Sequence, residues 1–137
     1  MRIPIFCFGT AALAALSGMS LGIFMGIRQD FTLAPVHAHI NLLGWVTMAL
    51  YGLYHRGARR GDTRLGWAQV GCGAAGFPLM TGGLAYEFLT GDTAFLWVIS
   101  AGALLSLASM ALFLAVVLRD AGREGAGAAG GQPSPGW

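Results

Sequence analysis

Charged residues punctuate this chain at intervals. Ile3 to Ile27 form twenty-five consecutive residues without a charge, and about 20 apolar residues suffice to cross a hydrocarbon core ~30 Å thick. Three further apolar runs follow, Thr32 to Tyr54, Leu65 to Leu89 and Thr93 to Leu118. The pattern predicts an all-α fold, an integral membrane four-helix bundle over residues 1–120 with spans at about 3–27, 32–54, 65–89 and 93–118. A cleaved signal peptide is the rival reading of the first run, but signal h-regions extend only about 7–15 residues. Pro35 suits the first turn of the second span, where an amide lacks a partner in any case. Pro78 falls inside the third, where a kink or local break is expected. Residues 121–137, rich in Gly, Ala, Pro and Ser, read as a disordered cytoplasmic tail.

Composition supports this division. Hydrophobic residues make up 55% of the chain and charged ones 10%, whereas a soluble domain carries about 25% charge. The implied surroundings are lipid, and a net charge of +2 gives no support to a nucleic-acid partner. Of eight basic side chains, Arg2, Arg56, Arg59, Arg60, Arg64, Arg119 and Arg123 fall on one predicted side and only Arg28 on the other. The positive-inside rule then places both termini and the loop 55–64 in the cytoplasm, as in a multi-pass protein of a bacterial inner membrane. Tyr51, Tyr54 and Trp67 flank the inner boundary, and Tyr86 and Trp97 lie towards the outer one. Cys7 and Cys72 lie in apolar runs without metal or redox spacing and read as small hydrophobes.

Gly18, Gly22 and Gly26 repeat every four residues, so they share one face of the first helix and permit close backbone approach. That face serves packing within the bundle or the seam of a homo-oligomer. The third helix carries Gly71, Gly73, Gly76, Gly82 and Gly83 around Pro78, which predicts a thin, bent helix leaving space for something bulky, or close helix contact.

The segment with chemistry is Ala34 to Arg56. Polar and ionisable side chains within a membrane span are costly unless they face a partner, a cavity or a cofactor. At 100° per residue His37 shares a face with Asn41, Gly44 and Met48, while His39 points about 200° away. The two histidines therefore do not bind one metal ion from a regular helix, where ligand pairs stand three or four residues apart. The His37, Asn41 and Gly44 face suits a flat cofactor, with an imidazole for an axial bond and a glycine for ring clearance. Haem is the natural candidate. The plainer reading is a histidine bonded to Asn41, water or a carbonyl near the membrane surface. His55, at a helix C-terminus, reads as structural. Gln69 and Thr81 read as packing hydrogen bonds, and Glu87 as solvated, with Arg28 its one obvious partner.

The run Ala34-Pro35-Val36-His37, followed by Asn41 and by Tyr51-Gly52-Leu53-Tyr54, resembles the second helix of the large subunit of C-type haem-copper oxidases and nitric oxide reductases. The stretch through Arg119 is similar to short four-helix bacterial proteins related to oxidase subunit I. The resemblance implies that His37 ligates haem b, with His39 the second choice. The later histidines that complete the large enzymes are missing, so the chain is not a complete enzyme on its own. Short relatives place a histidine where this chain has Gln69, which implies five-coordinate iron or a histidine borrowed from another protomer. The leading expectation is a haem b-binding membrane protein that transfers electrons or senses a diatomic gas, as a homo-oligomer or beside respiratory complex subunits. The alternative is a cofactor-free structural or assembly subunit of a respiratory membrane complex. Proton or solute conduction through His37 is disfavoured, because one histidine and one asparagine make a poor relay across ~30 Å.

Overall fold

The computed structural model describes residues 2–58 and 62–130, with side chains described through Arg123. Arg59 and Arg60 of the basic loop, and residues 131–137 of the tail, lie outside the described residues. Within them the chain is helical throughout, without strands, and forms four rods. Helix α1 (Ile3–Arg28) starts from Arg2 in extended conformation with Pro4 in its first turn, and stops where Gln29 adopts left-handed φ 51° and donates its N–H to the Met25 carbonyl. The second rod joins α2 (Ala34–His39), a π-helical segment (Ile40–Thr47) and α3 (Met48–Gly57). The junction residues Ile40 and Met48 keep right-handed helical angles, so the rod is continuous. Thr47 Oγ1 donates to the Leu42 carbonyl five residues back, at 2.7 Å, as the wider turn allows.

Helix α4 (Arg64–Thr90) is capped by Thr63, whose Oγ1 accepts from Gly66 N at 3.0 Å, and ends at Gly91 with φ 70°. It continues as one helix across Pro78, so the expected local break is absent. Helix α5 (Leu96–Gly130) runs ten residues into the segment expected to be disordered. Ala121, Ala126, Ala128 and Ala129 supply helix propensity there.

The rods meet through small residues. On α1, Gly18 and Gly22 receive Asn41 and His37 of the second rod. Lower in the bundle the roles exchange, with Gly44 receiving Ala14 and Phe77, and Gly52 receiving Cys7 and Phe8. Helices α4 and α5 touch backbone to backbone. A Cβ on Gly102 would stand against Met80 N and 2.7 Å from Gly76 O, while Gly76 and Gly83 face Ser106 and Ile99. The glycines of α4 thus admit α5 and leave no space for a bulky guest on that side; Gly71 and Gly82 face open surroundings. Ile3, Cys7, Ala11, Met48, Tyr51 and Val70 form a buried cluster joining α1, the second rod and α4. Leu13, Leu16, Ile23, Leu104, Leu107 and Leu118 point outward, each at least 60% exposed.

Among the described residues, Ile3–Arg28 and Leu96–Arg123 are the two helices that by length and composition are apolar enough to cross a membrane. The other two rods are diluted by polar and glycine positions, among them His37, His39 and Asn41 in one and Gln69 and Glu87 in the other. One end of the bundle brings together the start of α1, where Ile3 N donates to Asp62 Oδ2 at 3.2 Å, and the end of the second rod, where the Tyr54 hydroxyl donates to Asp120 at 2.9 Å. Arg2, Arg56, Arg64 and Arg119 adjoin these contacts in sequence. The loop carrying Asp30 lies at the other end.

Candidate functional site

Helix α2 projects His37 into the shallow groove of α1. A Cβ on Gly22 would lie 2.9 Å from His37 Cε1, so hydrogen is the largest substituent that leaves the ring where it is. His37 Nδ1 lies 2.8 Å from the Gly18 carbonyl oxygen. A carbonyl only accepts, so Nδ1 carries the proton and, in the neutral ring, Nε2 keeps its lone pair. Asn41, one turn below, donates Nδ2 to the His37 carbonyl at 2.8 Å. The same nitrogen stands 3.4 Å from both ring nitrogens, longer than an ordinary N–H hydrogen bond. Asn41 therefore holds the backbone beneath the ring and makes at most a long, weak contact with the Nε2 lone pair. His37 and Asn41 are both half-buried.

Gly44 shares this face as expected, yet it plays a different part. It is buried, and a Cβ there would lie 2.7 Å from Ala14 Cβ and 2.8 Å from Phe77 Cε2, so the clearance for a ring edge is already occupied. His39 bonds through Nδ1 to the Pro35 carbonyl of its own helix at 2.7 Å, again leaving Nε2 unprotonated in the neutral ring. The two imidazoles are thus fixed to separate carbonyls, and among the described residues no three His, Cys, Asp or Glu side chains gather as a metal site.

Gln69 does not complete the His37 site. Its Oε1 accepts from His55 Nε2 at 2.9 Å, and His55 stands eighteen residues from His37 along one rod, roughly 25 Å at helical rise. A ligand at position 69 belongs to the opposite end of the bundle. His55 is accordingly a partner of Gln69 as well as a residue near a helix C-terminus. Ser109 Oγ joins them by donating to the Gln69 backbone carbonyl at 2.8 Å, and it lies 3.3 Å from the Tyr51 hydroxyl. Tyr51, Gln69 and Ser109 are all buried. Gln69 was expected to make a packing hydrogen bond and does so with His55, but its gathering with Tyr51 and Ser109 was not foreseen, although polar side chains in three apolar runs were the available signal.

Near the other end, Asp30 Oδ1 accepts from Thr32 Oγ1 at 2.6 Å and from Thr32 N at 3.0 Å. The Thr32 hydroxyl and amide, aided by Arg28, hold the Asp30 carboxyl below its ordinary value. Arg28 lies 5.6 Å from the centroid of the Phe24 ring.

Chemically, the His37 groove offers one imidazole oriented through its Nδ1–H, next to glycine backbone. Compared with known family models, curated proteins and solved structures, the chain matches none.

Proposed function

We propose that the chain is a four-span protein of a bacterial inner membrane that binds haem b through His37 and serves electron transfer or diatomic-gas sensing. The observation that carries the reading is the Nδ1 bond of His37 to the Gly18 carbonyl. Metal-bound histidines characteristically donate their second nitrogen to a carbonyl or carboxylate, which fixes the tautomer and aims Nε2 at the metal. His37 has that arrangement, and the donor set fits a single axial imidazole. Bound haem would supply a one-electron couple or an open iron position for a small gas. Gly18 orients the ring, Gly22 gives it room, and Asn41 steadies the turn that carries it. Gly44 has no place in this reading, and His39 remains the alternative ligand.

The membrane assignment rests on the outward leucines and on the two strongly apolar helices, with the other two rods completing four spans. The gathering of arginines near the Asp62 and Asp120 end supports a cytoplasmic position for both termini. A cofactor-free packing subunit of a respiratory complex is the second reading. It is favoured by the chain's own filling of Gly18, Gly22 and Gly44. Reduced-minus-oxidised spectra of protein purified from haem-replete cells separate the two. A b-type spectrum present in the wild type and lost in His37→Ala, but retained in His39→Ala, is the expected result. A featureless wild-type spectrum overturns haem binding, and loss only in His39→Ala moves the ligand.

A further inference from the structure

The inner half of the bundle contains a polar deficit unrelated to the His37 groove. Gln69 is fully buried, and its Nε2, with two N–H donors, has no hydrogen-bond partner. Its neighbours do not offer one. His55 Nε2 faces the amide oxygen and Ser109 Oγ the Gln69 backbone carbonyl, and neither accepts from Nε2. Tyr51 OH is near Ser109 Oγ and, at 4.0 Å, Met110 Sδ. Leaving a buried amide donor unpaired is costly, and buried polar atoms in folded proteins are paired with protein or with ordered water.

We propose that Gln69 holds an internal water in the inner half of the bundle, making the Tyr51, His55, Gln69 and Ser109 cluster a hydration site. The chemistry selects water over an ion. Exchanging the two ends of the amide would let Nε2 donate to His55 and move the deficit to Oε1, without abolishing it. Only a ligand that both donates and accepts satisfies the amide in either orientation. Among the described residues no arginine hydrogen-bonds to the cluster to attract an anion, and an amide N–H does not ligate a cation. His55 is half-buried at the end of the second rod, beside Gly66 in the first turn of α4, so the cluster adjoins the bundle end that carries the Asp62 contact. Met48 borders the cluster. A Cβ added to Gly73 would stand 2.9 Å from Ser109 Oγ and 3.4 Å from Met48 Sδ, which places this flexible thioether as a wall able to yield to a water molecule.

Radiolytic hydroxyl labelling of the intact protein in micelles tests the inference, because radicals formed from a bound water oxidise the side chains beside it even when they are closed to bulk solvent. Met48 and Tyr51 are 0% and 2% exposed, and Met25 and Met80, at 5% and 7%, are buried controls away from the cluster. The expected result is labelling of Met48 and Tyr51 at least about fivefold faster than Met25 and Met80, with that excess lost in Gln69→Leu. Equal rates in the wild type overturn the proposal, as does an excess that survives Gln69→Leu. The wild-type comparison stands by itself if the variant fails to fold, and neither arm depends on haem.

Discussion

Replacing Gly22 by alanine tests whether the α1 groove is built for His37. The added Cβ would stand 2.9 Å from Cε1 and 3.4 Å from Nδ1, whereas ordinary carbon contacts lie at about 3.5–4.0 Å. The ring must retreat by about 0.6–1.1 Å. Its Nδ1 bond to Gly18 O is now 2.8 Å, and a displacement of that size carries it past the ~3.2 Å limit of a sound bond. Losing the bond costs about 1 kcal/mol, and the overpacking about 1–3 kcal/mol. Alanine returns about 1 kcal/mol of helix propensity. The net expectation is a loss of about 1–3 kcal/mol. Gly26→Ala is the matched control, since it lies one turn further along α1 with nothing within 4 Å of its Cβ position. It collects the propensity gain without the clash. Equilibrium unfolding in mixed detergent micelles reads the difference, and under the proposed haem ligation by His37 the midpoint potential would move in Gly22→Ala but not in Gly26→Ala. If Gly22→Ala is as stable as Gly26→Ala, the ring does not sit in the groove and the tautomer argument falls with it.

Two other substitutions probe features remote from His37. Gly102→Ala places a methyl against the Met80 backbone nitrogen and Gly76 O, atoms that no rotamer change moves, so a loss of about 3 kcal/mol or more is expected in the same unfolding assay; a loss below about 1 kcal/mol would contradict the backbone contact between α4 and α5. Asp30 is held below its ordinary value by Thr32, so its turn is favoured while the carboxylate is ionised and this contribution disappears as pH falls through the lowered midpoint. Carboxyl NMR titration should show that midpoint rising towards the ordinary aspartate value in Thr32→Val, and an unchanged midpoint would remove the cause assigned to it.

The four helical rods were legible because charge is so sparse that its positions mark the turns. Their interruptions were less so. Ile40 to Thr47 has the residue types of ordinary apolar helix, and nothing local in it announces a π-helical turn. Pro78 pointed to a kink or a local break; α4 continues through it as one helix, which removes the break, with the Thr81 hydroxyl donating to the Phe77 carbonyl at 2.8 Å beside it. The composition after Leu118 suggested disorder, yet its alanines permit helix to Gly130. Composition could not separate an alanine-rich helical extension from a glycine-rich tail.

The candidate site shows why a pattern along one helix is an incomplete description. Periodicity correctly grouped His37, Asn41 and Gly44, but it could not say what covers them. The answer lay in a second pattern. Gly22 meets His37, Gly18 meets Asn41, Ala14 meets Gly44 and Cys7 meets Gly52, an antiparallel register in which residue numbers fall on α1 as they rise on the second rod. Towards the His37 end the small residue stands on α1 and the larger polar one on its partner; further along, the small residue changes sides. Gly44 therefore lies past the point where the small residue changes sides and closes over Ala14 and Phe77, while His37 lies where α1 supplies glycine backbone and a carbonyl to orient its ring. The same polar residues on a uniformly small-faced pair would slide by a turn. Here a one-turn slip would bring His37 towards Gly18, remove Gly22 from beneath it and drive Asn41 into Ala14, so the exchange of small positions fixes both the pairing and the protonated nitrogen of His37.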